Sequence, residues 1–338
     1  MNRKIARVVV AAVVLMFLTS NSAVAAPTGQ WETRCTAHRL AGERIHGELC
    51  FRGRLTADTP IQILLHGGTY DRAYWDWPYE PRRYSYVENA TRRGFATLNL
   101  DRLGYGGSDH PDPTTLDFTA GADAVHQVID EVRGGALGPS FTTVVLNGHS
   151  MGGIVALNAA ARGGADAVIV SGIPRNPETR GNTASTDPLF PFYPAEQDPK
   201  FAGNGWAPGY LTTRPGTRMD AFHYPGTYEP AIARLEESLK DTLTVAELCS
   251  LRPCGSAPPR QQATAPATVP VLHVLGRNDM MFCRTTGDCA TDPGAGDTEH
   301  LIDGSGHSIN LSRGAPEFYR LTFRWLTRQG IAPSRSAG

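Results

Sequence analysis

Short apolar runs recur along the first half of the chain, and glycines separate them. The stretch "CTAHRLAGERIHGELCFRG", within residues 31–55, alternates around a Gly-containing turn and predicts a β-hairpin, with Cys35 and Cys50 placed to close it. "IQILLHG" (61–67), "FATLNLDR" (95–102), "FTTVVLNG" and "ADAVIVSGI" predict short strands. Between them, "YVENATRRG", residues 118–133 and "GGIVALNAAARGG" carry apolar residues at helical spacing. Strands that are almost wholly apolar and separated by helices indicate parallel βαβ units buried on both faces. The alternation breaks at Pro174. From there to residue 266 the chain is rich in Pro, Gly and aromatics, with one predicted helix at 229–248, "EPAIARLEESLKDTLTVAEL". It resumes with "VPVLHVLG" (269–276), "TEHLIDGSGH" (298–307) and a final helix near 310–328. The pattern predicts an α/β core from 27–173 and 267–338, with a cap of residues 174–266 inserted after the sixth strand.

The first 26 residues are of another kind. "MNRKIAR" is cationic, "VVVAAVVLMFL" is an apolar run of eleven, and Ala23-Val24-Ala25 ends a small-residue segment. This is the layout of a cleaved secretory signal. Eleven residues are too few to span a bilayer, which takes roughly 20, so no stable membrane anchor is expected. Export changes the meaning of the six cysteines, because an even count in an oxidising compartment favours disulfides. They fall into three close pairs, Cys35–Cys50, Cys249–Cys254 and Cys283–Cys289, and local pairing is the most economical arrangement. No zinc-type spacing is present, so no metal and no cofactor are expected. A net charge of −1 without a basic cluster argues against a nucleic-acid partner. Three local disulfides and one capped sheet fit a monomer.

The candidate chemistry lies where strands end. Residues 148–152 read Gly-His-Ser-Met-Gly, between the apolar "VVLN" and the helix-like "IVALNAAA". With 36 glycines in the chain, chance alone places such a pentapeptide roughly 0.2 times. The strand before and the helix after it are what make Ser150 a candidate nucleophile on a sharp turn. A base and an orienting acid should follow at the ends of later strands. Asp279 in "VLHVLGRND" and His307 in "HLIDGSGHSINL" occupy those places. Glu178 and Asp303 are the alternative acids. His66 and His149 sit in glycine turns, His126 lies mid-helix and His223 is in the cap, all poorer positions for a base. "LLHGGTY" ends the third strand with two glycines, so the Gly68 N–H, or in second place that of Thr69, can join the Met151 N–H in holding an oxyanion. The loop "DRLGYGGSD" (101–109) lacks the lysine and spacing of a nucleotide cradle.

The set "LLHGGTYD", "NLDRLGYGGSD", "NGHSMGG", "LGRND" and "GSGHSINL", in this order, resembles the α/β-hydrolase superfamily. The likeness covers nearly all of residues 55–328 outside the cap. The cap's "GYLTTRPGTRMDAFHY" is similar to secreted hydrolases of high-GC Gram-positive bacteria. The resemblance implies an α/β-hydrolase fold, a mostly parallel sheet with helices on both faces. It implies Ser150 as nucleophile, His307 as base and then acid, Asp279 as its orienter, and Gly68 and Met151 as the oxyanion hole. "HGGT" stands where many esterases have HGGG. A serine at the nucleophile position speaks against epoxide hydrolase and haloalkane dehalogenase chemistry, which use Asp there.

The expected activity is hydrolysis of a carboxylic ester or lactone, through an acyl-enzyme, on a small apolar substrate. Among the aromatics near the site and in the cap (Tyr70, Tyr74, Trp75, Trp77, Trp206, Phe222 and Tyr224), Tyr70 and Trp75 are the expected substrate contacts. An exopeptidase-like amide hydrolase is the alternative, with Glu196 or Glu229 meeting a substrate amine. A non-catalytic binding protein on a hydrolase scaffold is the second.

Overall fold

The computed structural model describes residues 32–175, 191–251, 265–283, 289 and 298–333. The segment 1–26, Glu178 and Cys254 lie outside them. Strands β1 (Arg34–Leu40) and β2 (Ile45–Phe51) form the expected antiparallel hairpin, with Cys35 directly opposite Cys50 and joined to it by a disulfide. Next come β3 (Ile61–Leu65), the short helices α1 (Pro81–Tyr84) and α2 (Tyr86–Thr91), and β4 (Ala96–Leu100). Helix α3 (Phe118–Gly134), β5 (Val144–His149), α4 (Met151–Ala160) and β6 (Ala167–Ser171) complete the first half. After the insertion follow β10 (Val271–Gly276), β11 (Glu299–Ile302) and α8 (Ala315–Arg328).

These strands make one eight-stranded sheet in the order β1-β2-β4-β3-β5-β6-β10-β11. Only the β1–β2 and β2–β4 pairings are antiparallel. Every residue of β3, β4, β5 and β6 is buried, which is why these strands read as largely apolar runs. β1 is the edge strand, and its residues are mostly exposed. The helix ends follow from the sequence. Ser85 caps α2 by accepting from the Glu88 N–H, Asp117 caps α3 through the Thr119 and Ala120 N–H groups, and Gly135 (φ 88°) stops α3.

The insertion between β6 and β10 builds its own three-stranded antiparallel sheet from β7 (Phe192–Pro194), β8 (Tyr210–Thr213) and β9 (Thr242–Thr244). Helices α5 (Arg218–Phe222), α6 (Pro230–Leu239) and α7 (Val245–Leu251) flank it. The single helix expected over 229–248 is therefore corrected to two helices with a strand between them. Lys240 leaves helical geometry at ψ 151°, and Thr242–Thr244 pair with β8. Two β-branched threonines and an available sheet edge outweigh a helix propensity that is marginal there.

The cap is bonded to the core along three seams. The Thr69 N–H donates to the Thr242 carbonyl (2.8 Å), and the Asp241 N–H donates back to the Thr69 carbonyl (2.9 Å). The Ser308 N–H donates to the Phe222 carbonyl (3.0 Å) and the Arg313 N–H to that of Thr227 (2.7 Å). At the third, Glu247 of α7 meets Arg102 and Tyr105 of the loop after β4, all buried. Burial works against charge on Arg102, and Glu247 and Tyr105 beside it more than offset that, raising its pKa.

Asp241 sits in the first seam, accepting from the Thr242 N–H (2.7 Å) and the Gly106 N–H (2.8 Å). Burial, reinforced by the neighbouring Asp71, pushes its carboxyl up to about 7. In an unfolded chain the same group ionises near 3.9, so the folded state holds its proton over the interval between. Its contribution is fully present below about pH 4 and is lost as the pH rises to about 7. Asp241→Asn should remove that slope. Melting temperature followed from pH 4 to 8 should show the wild type losing stability relative to the variant up to pH 7, then running parallel. Parallel curves throughout would contradict this assignment.

Candidate active site

Ser150 stands between the end of β5 and the first residue of α4, with φ 51° and ψ −123°. A non-glycine residue at positive φ is strained, and strain of this kind persists only where the surroundings enforce it. The enforcement comes from two glycines. A Cβ on Gly148 would collide with the Gly152 carbonyl, and one on Gly152 with the carbonyls of Leu65 and His66. The Ser150 N–H is also tied to the Ser171 carbonyl of the next strand (2.7 Å). The bend leaves Ser150 partly exposed at the carboxyl edge of the sheet.

His307 follows β11, and its Nε2 lies 2.9 Å from the Ser150 Oγ. Its Nδ1 lies 2.9 Å from the Asp279 Oδ2. Asp279, fully buried just past β10, has its other oxygen held by the N–H groups of Met281 (2.9 Å) and Phe282 (3.3 Å). With the carboxylate accepting at Nδ1–H, Nε2 is left as the acceptor for the serine hydroxyl. The Cys283–Cys289 disulfide is formed; the Cys283 N–H donates to the Asp279 carbonyl (3.0 Å), and the Cys289 Sγ lies 3.4 Å from the same oxygen. The structure thus brings together Ser150, Asp279 and His307. Asp303, the alternative acid, is exposed and paired with Arg277.

Gly67 and Gly68 lie beside the serine. A Cβ on Gly67 would fall 3.3 Å from the Ser150 Cβ, and one on Gly68 would fall 2.6 Å from the Met151 Sδ. Met151 opens α4, where the first N–H groups have no partner within the helix. Thr69 is corrected as the alternative donor, since its N–H is already spent on Thr242. His66 is buried at the base of this turn. Its Nδ1 lies 2.8 Å from the Gly67 carbonyl and its Nε2 accepts from the Arg102 N–H (3.0 Å). Burial and the nearby Arg102 push its pKa down to about 3, so the ring is neutral. His149 lies beneath the site, stacked on Tyr74 with ring centroids 4.5 Å apart, and burial holds its pKa well below normal.

The expected substrate contacts divide. Trp75 is fully buried against Tyr86 and Phe318, so it packs the core rather than meeting a ligand. Tyr70 is 4% exposed, and its hydroxyl is held between Glu236 and the Ser308 Oγ (2.7 Å). Rings that do stand by the reacting groups are Phe222 and Phe282, with centroids 6.1 and 5.6 Å from that of His307. Leu243 of the cap sits beside Gly68. Of the acids considered for an amine, Glu229 already accepts from Tyr79 (3.1 Å) and Tyr84 (3.0 Å) and pairs with Arg83. Among the described residues, the ligand atoms of Cys35, Glu48 and Cys50 lie close enough together for an ion, but both sulfurs are joined in the disulfide.

Two buried arginine–glutamate pairs were not anticipated. Arg218 pairs with Glu236 (3.2 Å), and Arg102 with Glu247. Glu236 follows Ile232 by four residues and so lies on the apolar face of α6, the one sign that it is buried.

A mostly parallel sheet carrying a strained serine at a strand–helix turn, with a histidine and a buried aspartate from later strand ends, defines the α/β-hydrolase class. The chain belongs to the alpha/beta hydrolase family, whose profile matches residues 62–321. No curated protein matches it in sequence. In three dimensions it is similar to a thermophilic esterase from Thermogutta terrifontis at 17% identity, covering 88% of this chain and 99% of that one with a TM-score of 0.54. It is similar to an N-acyl homoserine lactonase at 17% identity, covering 91% and 99%, TM-score 0.55. It also resembles a bacterial membrane phospholipase A at 14% identity, covering 90% and 89%, TM-score 0.54. At these identities the likeness speaks for the fold.

Proposed function

We propose that the protein is an exported serine hydrolase that cleaves a carboxylic ester or lactone by way of an acyl-enzyme. The observation that carries this reading is the unbroken chain Ser150 Oγ–His307–Asp279, with both links at 2.9 Å. His307 takes the Ser150 proton as the oxygen attacks the acyl carbon, and Asp279 stabilises the imidazolium. The oxyanion that forms is met by the N–H groups of Gly68 and Met151. His307 then gives its proton to the leaving alcohol. In the second half, water gives a proton to His307 and attacks the acyl carbon, and the proton returns to Ser150 as the acid departs. For a lactone the alcohol stays tethered to the acyl group, so one hydroxy acid is released.

Phe222, Phe282, Leu243 and the Met151 side chain surround this centre, which favours an apolar acyl or alcohol portion. Export is supported by the cationic, apolar and small-residue layout of positions 1–26 and by disulfides of the kind found in oxidising compartments. The test is a series of chromogenic esters of increasing acyl length beside an aminoacyl anilide, with fluorophosphonate labelling of Ser150. Labelling with a clear preference for esters is expected. Faster anilide cleavage would replace the reading with an amidase, and an unlabelled, inactive protein would replace it with a binding scaffold.

A further inference from the structure

The turn that carries the Gly68 N–H has almost no means of fixing its own direction. Two successive glycines have neither Cβ atoms nor rotamers to define them, so the aim of that N–H is set by the residues on either side. On one side His66 Nδ1 holds the Gly67 carbonyl, which shares a peptide plane with the Gly68 N–H. On the other side is Thr69, a β-branched residue at φ 60°. That conformation is a true outlier for a branched side chain, and it relaxes unless neighbours hold it.

The neighbours come from the cap. Besides the backbone pair with Asp241 and Thr242, the Nη1 of Arg218 reaches the Thr69 carbonyl (3.1 Å), the Thr69 hydroxyl (2.9 Å) and the Thr213 hydroxyl (3.1 Å). Arg218 is 1% exposed, with its guanidinium 4.4 Å from the centre of the Tyr70 ring and 5.1 Å from that of Phe222. It pairs with Glu236, whose carboxylate also takes the Tyr70 hydroxyl and lies 2.7 Å from His223 Nε2. Tyr70 in turn bonds Ser308, the neighbour of His307. A charge this deeply buried is costly.

We propose that Arg218, neutralised by Glu236, is a positioning residue for catalysis: it locks Thr69 in its left-handed conformation and thereby aims the Gly68 N–H at the oxyanion. The inference rests on the serine-hydrolase reading. It assigns to the cap a part in turnover as well as in substrate choice.

The experiment compares wild type, Arg218→Met, Arg218→Lys and the double variant Arg218→Met/Glu236→Gln. Each is titrated with a fluorophosphonate, so that kcat is expressed per reactive serine, and each is melted. Arg218→Met should lower kcat roughly 10- to 100-fold with KM within about 3-fold, since a mis-aimed donor loses less than an absent one. Its melting temperature should fall, because the buried Glu236 loses the guanidinium it pairs with. The double variant should regain much of the melting temperature but not the kcat. Arg218→Lys keeps the charge without the planar fork, and should fold with kcat still reduced. A double variant that regains kcat together with stability, or an Arg218→Lys enzyme with wild-type kcat, would overturn the positioning role alone. A wild type that takes no label would overturn the serine-hydrolase reading, and this inference with it.

Discussion

Ser150→Ala should fold as the wild type does and lose ester turnover by a factor on the order of 10⁴–10⁶. The Ser150 hydroxyl makes its hydrogen bond to His307 and lies at a partly exposed position, so its removal leaves no cavity in the core. Alanine meets the same φ of 51° with a side chain no larger than the serine Cβ, so the bend is neither relieved nor worsened. What disappears is the oxygen proposed to form the acyl bond. The remaining rate would come from an oxyanion site and a bound water, which on comparable enzymes retain about 10³–10⁴ over the uncatalysed reaction. Steady-state kinetics on the best chromogenic ester, with circular dichroism as the folding control, reads the result. Full activity in the alanine enzyme would show that another residue is the nucleophile.

Gly152→Ala is expected to damage both stability and turnover. The added methyl would press on the carbonyls of Leu65 and His66, the end of β3, where no side chain can turn aside. Overpacking against backbone at a close helix–strand approach costs about 3 kcal/mol or more. It also pushes α4, and with it Ser150 and the Met151 N–H, away from the glycine pair at 67–68. Both stability and kcat should therefore fall together. Two comparisons make the result specific. Gly153→Ala meets a Val170 methyl at 2.8 Å, which can shift, and should cost less. Gly134→Ala, near the end of α3 with nothing within 4 Å, should stabilise by about 0.5–1 kcal/mol through the less flexible unfolded chain. Urea unfolding of the three variants distinguishes a steric effect from a general intolerance of alanine.

The residues that meet at the proposed site were legible because each sits at a strand end, and strand ends of a parallel sheet converge. Ser150, Asp279 and His307 needed only the βα alternation and the order of their motifs. The local cysteine pairing was legible for Cys35–Cys50, which face each other across a hairpin, and for Cys283–Cys289, six residues apart. The interior of the cap was not. Lys240 to Thr244 reads as a continuation of a helix until β8 is present to pair with it. Glu236 and Glu237 are chemically identical neighbours, yet one is buried among Arg218, His223 and Tyr70 while the other reaches Lys240 at a half-buried position. Trp75 follows the glycine turn in sequence, but the 3₁₀ turn Arg72–Tyr74 directs the chain back into the core. Such outcomes depend on tertiary pairing, which a one-dimensional pattern does not contain.

The first seam joins Thr69 to Asp241 and Thr242, where β9 begins, by a reciprocal pair of backbone hydrogen bonds. A lid that swung open during each catalytic cycle would have to break that pair, and would release the Gly67–Gly68 turn with it. Opening and disassembly are thus one event with one free energy. In amide hydrogen exchange, the Thr69 and Asp241 N–H groups should report the same protection, as members of one cooperative unit spanning core and cap.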